Sequence, residues 1–121
     1  MTDNIIRPVI DSYVFGRMVI GGRAYTADLI IFPDGRIASS WWRLSGHRLQ
    51  VADIRELIAS GAEVIVAGTG ASGFMRPAGE LRELLAGRGI VFIAEPSARA
   101  YRTYNLFDPV KKVGACFHLT C

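Results

Sequence analysis

The chain of 121 residues has no long apolar run, no low-complexity segment and no block of like charges. Its apolar runs, such as Leu29–Phe32, are far shorter than the roughly 20 residues of a membrane-spanning helix, so we expect no membrane span. Half of the residues are hydrophobic and 21% are charged, which excludes a disordered chain. We therefore predict a single globular domain over residues 1–121 with one well-buried core.

Cysteine is scarce, with only Cys116 and Cys121 in the chain. If they share a strand, five steps of about 3.3 Å hold them roughly 16 Å apart on opposite faces, beyond the reach of a disulfide. The first ten residues contain Asp3 and no signal-type apolar segment. The two reduced thiols and the lack of a signal-type segment in the first ten residues predict a cytoplasmic location.

Lysine and histidine are scarce as well. The net charge of +3 is carried mainly by arginines scattered along the chain rather than gathered on one element, so no nucleic-acid partner is predicted. Cys116 and His118 would share one side of a strand, but two ligands are fewer than the three or four that zinc sites use. We predict no metal and no cofactor.

The first third of the sequence has the pattern of a small β meander. Gly21-Gly22 separates two extended runs and is typical of a hairpin. Pro33-Asp34-Gly35 predicts a second tight turn, because proline fixes φ at the first corner and glycine accepts the positive φ that follows. Ile37–Trp42 is the next predicted strand.

Helices and strands alternate after Gly46. Strands are predicted at Glu63–Ala67, Ile90–Ala94 and Val113–Leu119, and helices over Val51–Ile58, from Pro77, and between Pro96 and Pro109. This alternation predicts an α/β fold, a mostly parallel sheet with helices on its faces and the early hairpin added at an edge or as an extra layer.

A site is predicted where three strands end. If the strands at Ile37–Trp42, Glu63–Ala67 and Ile90–Ala94 are parallel, their carboxyl ends meet at one edge of the sheet, where ligands of open α/β sheets bind. The candidate ligand- or anion-binding residues at these ends are Arg43, His47, Gly68, Thr69, Gly70, Gly73 and Glu95.

The most informative segment is Ala62–Pro77, in which an apolar strand runs into a glycine-rich turn predicted to open a helix. Free amides at such a turn attract anions. Gly68, Gly70 and Gly73 match G-x-G-x-x-G, but no lysine and serine or threonine follow as in a phosphate loop, and the chain is too short for two nucleotide-binding halves. A purely structural tight turn is the favoured interpretation, and binding of a small anion is the alternative.

Other residues admit a structural and a functional interpretation. Trp41 and Trp42 could form an aromatic wall with Arg43, or one could enter the core while the other covers an edge, which is favoured. Glu95 before Pro96 is typical of a helix cap and could also act as a general acid or base. Cys121 or Cys116 with His118 could form a nucleophile and base. None of these sets is complete, so we predict no catalytic residue.

Several short motifs occur together in one order. They are Tyr13–Gly16, Trp42–His47, Val66–Gly70, Tyr104-Asn105 and His118–Cys121. The chain in this respect resembles the family of small proteins that includes the adipogenesis-associated Mth domain protein and assembly factor three of mitochondrial complex I, over almost its whole length.

The resemblance implies a three-layer α/β fold around a mixed sheet in which at least one strand opposes the rest. We expect the closing strand to be that exception, which would point His118 and Cys121 away from the glycine edge and exclude a combined site of Arg43, His47, Gly68 and Cys121. It also implies a non-enzymatic binding or assembly module with protein partners. The alternative is an anion- or small-molecule-binding enzyme or sensor that uses the Gly68-Thr69-Gly70 turn. The sequence does not fix an oligomeric state.

Overall fold

The computed structural model describes residues 6–121, which form three β-sheets and three α-helices. The strands are β1 (Ile10–Val14), β2 (Arg17–Ile20), β3 (Arg23–Tyr25), β4 (Leu29–Ile31), β5 (Ile37–Ser39), β6 (Arg48–Leu49), β7 (Val64–Thr69), β8 (Arg76–Pro77), β9 (Val91–Glu95) and β10 (Val113–His118). The helices are α1 (Arg55–Ile58), which a 3-10 turn at Val51–Ile54 precedes, α2 (Gly79–Gly87) and α3 (Ser97–Leu106).

The central sheet has five strands in the order β5-β4-β10-β7-β9. Strands β7, β9 and β10 are parallel to one another, β4 is antiparallel to β10, and β5 is antiparallel to β4. Strands β5, β7 and β9 therefore run in one direction and end at one edge, which we call the loop edge. All residues of β7 and β10 are buried, because helices and the meander cover both faces of these central strands.

The expected direction of the closing strand was wrong. β10 lies in the middle of the sheet and is parallel to β7, with His118 opposite Thr69. The opposed strand is β4, the first strand of the β4–β5 hairpin. The exclusion of a combined site was wrong for the same reason, because β10 ends at the loop edge and brings His118 with it.

Each face of the sheet has its own core, so the structure has two cores and not the single core predicted from the chain length. Side chains of β1 and β2 and of helix α3, such as Met18 and Tyr104, pack on one face of the sheet. The 3-10 turn, α1 and α2 cover the other face through side chains such as Leu57 and Leu81. The meander β1-β2-β3 forms its own antiparallel sheet, so the early strands are an extra layer, which is one of the two predicted placements, whereas the β4–β5 hairpin joins the central sheet.

Some element boundaries differ from the prediction. The glycine turn does not open a helix: the chain continues through β8, and α2 begins at Gly79. The strand predicted over Ile37–Trp42 ends at Ser39, and the next residue, Ser40, has φ +59°. In residues 6–121, none of the helices combines the length and the hydropathy that a membrane span requires.

Candidate functional site

An aspartate at the loop edge organises the site. Strand β4 opposes its neighbours, so the residue before it, Asp28, lies where β7, β9 and β10 end. Asp28 Oδ2 accepts hydrogen bonds from Arg43 Nη1 at 2.9 Å and His118 Nδ1 at 2.7 Å, and Oδ1 accepts one from the Leu119 amide at 2.8 Å. The carboxylate thereby joins the β4, β10 and 41–47 segments.

Asp28 is ionised in this setting. Burial favours the neutral acid and would raise its pKa, but the hydrogen bonds from His118, Leu119 and Arg43 outweigh burial and hold the pKa of Asp28 below its ordinary value. An ionised carboxylate only accepts hydrogen bonds, so His118 Nδ1 carries a proton and donates it to Asp28. The 3.1 Å approach of Arg43 Nη2 to Nδ1 is then a contact between two donors.

Arg43 is a structural member of this cluster. Only 6% of its side chain is exposed, its Nε donates to the Gly46 carbonyl at 2.9 Å, and its guanidinium lies 4.7 Å from the ring centre of Trp41. The Trp41 amide donates to the Asp28 carbonyl, and its Nε1 donates to the Asp53 carbonyl. Trp41 is partly buried against the core, as in the favoured interpretation, but Trp42 is 87% exposed rather than covering an edge.

The two histidines of the chain lie side by side. The rings of His47 and His118 meet edge-on with centres 5.7 Å apart, and His47 also contacts the Phe74 ring at 5.9 Å. His47 is exposed, whereas His118 is 6% exposed. His118 Nε2 is buried without a hydrogen-bond partner in residues 6–121.

The amides of the glycine turn are engaged within the protein. Those of Gly70, Ala71, Gly73, Phe74 and Met75 donate to Ser97 Oγ and to carbonyls of Thr120, Gly70, Cys121 and Thr69. An anion at this turn would have to compete with these acceptors. Anion binding at this turn stays a prediction, and these five amides already donate hydrogen bonds within the protein.

The glycines of the turn permit close approach to neighbouring chain segments. A Cβ on Gly70 would lie 2.6 Å from the Cys121 carbonyl carbon, and φ is +104° there. A Cβ on Gly68 would lie 2.3 Å from the Phe117 ring. These contacts are between parts of the protein and support the structural interpretation of the turn.

Glu95 lies on the other face of the sheet. Its neighbour across the strands is Gly68, but its carboxylate accepts a hydrogen bond of 2.6 Å from Thr103 Oγ1 on α3. Alternation along β9 places Glu95 on the face covered by α3, whereas Thr69 and His118 lie one residue out of phase. Of the predicted site residues, Arg43, His47 and Thr69 therefore come together around His118, and the Glu95 side chain does not.

The cysteines show no nucleophile–base pair with His118. Cys116 is fully buried, and burial raises the pKa of its thiol to about 12. Its thiol is therefore protonated and inert at neutral pH. Cys121 is exposed, and its carbonyl accepts the Phe74 amide.

A cleft of about 350 Å³ opens beside this cluster, between Thr26–Asp28 and Ser40–Arg43, with His118 in its wall. Large apolar side chains stand exposed at the loop edge: Trp42 is 87%, Leu44 78% and Phe74 54% exposed. We call these three residues the apolar rim.

Sequence reasoning missed two residues of this site. Asp28 stands in an ordinary polar segment between two predicted strands, and Ser97, whose buried hydroxyl donates to the His118 carbonyl, reads as a helix start. Nothing local marks either residue. Only the pairing of β10 with both β4 and β7 gives them their partners.

Several solved structures are similar to this chain over nearly their whole length. A conserved hypothetical protein of Pyrococcus horikoshii is 24% identical with a TM-score of 0.80, over 93% of this chain and 98% of that one. A Bartonella henselae protein described as an outer membrane protein is 25% identical with a TM-score of 0.78, over 98% and 100%. A Mth938-like domain of Bordetella pertussis is 18% identical with a TM-score of 0.70, over 98% and 90%.

These likenesses concern the fold. The family assignment comes from the sequence, because the model of a family described as protein of unknown function (DUF498/DUF598) matches residues 10–118. That match covers nearly all of the chain and agrees with the resemblance noted in its motifs. The chain therefore belongs to the DUF498 family, whose Mth938-like fold it shares.

Proposed function

We propose that this protein is a non-enzymatic binding module that docks another protein through the apolar rim. The observation that carries the proposal is the exposure of Trp42, Leu44 and Phe74 at one edge. Tryptophan and other large apolar side chains dominate the binding energy of protein interfaces, and exposing them costs free energy unless a partner covers them.

The rim is held in place before any partner arrives. Trp42 and Leu44 flank Arg43, which is fixed by Asp28, the Gly46 carbonyl and the Trp41 ring. A preformed surface loses little conformational entropy on binding. These contacts of Arg43 favour a docking role for the loop over that of a lid.

The charges beside the rim indicate the kind of partner. Arg48 and Arg76 are exposed and pair with each other in the short β6–β8 ladder directly after His47. We infer a partner surface that is apolar at its centre and acidic at its border. By analogy with the complex I assembly factor in the family that the sequence motifs resemble, a subunit of respiratory complex I during its assembly is the partner class proposed. A cytoplasmic location belongs to the same proposal, supported by the two free thiols.

Affinity capture with matched variants tests the proposal. The bait is the full chain as wild type, as the Trp42→Ser/Leu44→Ser double variant, and as the control Leu106→Ser. Leu106 is 85% exposed at the end of α3, away from the loop edge. We expect respiratory-complex subunits to be recovered with wild type and control and reduced at least about tenfold with the double variant.

Two outcomes would contradict the proposal. One is equal recovery of those subunits with the rim variant and wild type, since contact would then lie elsewhere. The other is recovery of nothing above background with a bait shown to be folded by its circular dichroism.

A further inference from the structure

The only two imidazoles of the chain meet at the loop edge although they lie on distant segments. His118 belongs to the central strand β10, and His47 belongs to the loop before β6. This meeting was not foreseen, because the closing strand was expected to end elsewhere. Two neighbouring imidazoles can bind one ligand together.

His118 has a ring nitrogen without a partner in residues 6–121. Its Nδ1–H is donated to Asp28 at 2.7 Å, and in the neutral tautomer with the proton on Nδ1 the lone pair is on Nε2. That nitrogen is buried and has no partner within residues 6–121. A buried acceptor without a partner is costly, so it marks a place where another group fits.

The Asp28 carboxylate makes His118 Nε2 a better metal ligand. Metal-binding histidines usually donate their other ring N–H to a carboxylate, which fixes the tautomer and makes the free nitrogen a better ligand. The Asp28–His118 pair has this arrangement. Both Asp28 oxygens already accept hydrogen bonds, so the carboxylate acts through the histidine rather than as a ligand.

The distance between the rings suits a shared ion. Imidazole nitrogens bind zinc at about 2.0–2.1 Å, which puts the centres of two rings on one ion roughly 5–6 Å apart. The observed separation of the ring centres of His47 and His118 is 5.7 Å. His47 is exposed, so its ring can turn to direct a nitrogen at the ion without disturbing the core.

We propose that His118 Nε2 and His47 bind one divalent first-row transition-metal ion, such as Zn²⁺, with solvent completing the coordination. No group of three or more histidine, cysteine or acidic side chains suited to a metal is found in residues 6–121. Two protein ligands are fewer than the three or four of catalytic and structural zinc sites, so the ion is held weakly and exchanges readily, and the exposed His47 ring has to turn aside to admit it to the buried Nε2. A single buried water is the competing occupant, since it would satisfy Nε2 and leave His47 without a role.

A zinc titration of the purified full chain tests the proposal, with Zn²⁺ itself as the probe. Long-range ¹H–¹⁵N spectra report on the imidazole nitrogens, and calorimetry gives the stoichiometry. We expect one ion per chain and a shift of both His118 Nε2 and a His47 nitrogen. His47→Ala, which alters an exposed residue, and His118→Gln should each weaken binding at least tenfold.

Two further variants sharpen the assignment. Cys121→Ser removes the exposed thiol and should leave the affinity unchanged within about twofold. Asp28→Asn keeps the shape of the side chain but weakens the positioning of His118, and it should reduce zinc affinity by roughly 10–100-fold.

The proposal is overturned by unmoved imidazole signals at millimolar Zn²⁺, as expected for a buried water. It is also overturned by shifts confined to His47, by binding that survives either histidine variant, or by binding lost in Cys121→Ser. The titration uses no protein partner, so its result is independent of the docking function proposed above.

Discussion

Removal of the Asp28 carboxylate is expected to be the most damaging single change at the loop edge. In Asp28→Ala, the Arg43 guanidinium, the His118 Nδ1–H and the Leu119 amide all lose their acceptor. The side chain of Arg43 is only 6% exposed, so water cannot easily replace the carboxylate. Breaking a buried ion pair in this way costs about 3–5 kcal/mol.

That loss is a large part of the free energy of unfolding of a typical domain, about 5–15 kcal/mol. For a chain of this size it corresponds to a fall in Tm of about 10–20 °C. Urea unfolding followed by tryptophan fluorescence measures the difference. Asp34→Ala is the matched control, because Asp34 is exposed and, within residues 6–121, accepts only the Arg36 amide. A cost below about 1 kcal/mol for Asp28→Ala would refute the reasoning.

The same carboxylate predicts how the difference depends on pH. The pKa of Asp28 is lowered in the folded protein, so its contribution is fully present above the unfolded pKa of about 3.9 and is lost as the pH falls through the folded pKa. The stability difference between wild type and Asp28→Ala should therefore shrink below about pH 4. A difference that stays constant down to pH 2 would show that the carboxylate is not responsible.

The remaining predictions concern the glycine turn and the thiols. Gly70→Ala should lower the free energy of unfolding by about 1 kcal/mol or more, because φ is +104° and the new Cβ would press on the Cys121 backbone, whereas His47→Ala should change it by less than about 0.5 kcal/mol. Equal losses in urea unfolding would mean that His47 is as structural as the turn. A thiol reagent should modify one cysteine, Cys121, in the native protein and also Cys116 after unfolding, and rapid native reaction of Cys116 would contradict its burial.

Local sequence signals predict most of the elements and the loop edge as the place of a site. Continuous apolar runs marked β7 and β9, and the turn residues at Gly21-Gly22 and Pro33–Gly35 marked the meander and the β4–β5 hairpin. These signals are local because side-chain periodicity and backbone φ preferences act over a few residues. They could be read without knowing which strands pair.

The neighbours of the site residues depended on strand pairing between distant parts of the chain. The expected direction of β10 was wrong, since nothing in Val113–His118 says whether it enters the sheet beside β4 or at an edge. Because β10 pairs antiparallel with β4 and parallel with β7, His118 lies beside both Asp28 and Thr69. Glu95 lies one residue out of phase with Thr69 and His118 in the paired strands. Its side chain therefore lies on the opposite face of the sheet.

The sequence by itself thus determined the α/β class, the order of the elements and the glycine-rich turn, since each of these follows from local chemistry. Tertiary structure alone decided that Asp28 would pair with Arg43 and His118, that turn amides would donate to the Thr120 and Cys121 carbonyls, and that the two imidazoles would meet. These features depend on burial and on contacts between segments far apart in the chain, and both exist only after the sheet has formed.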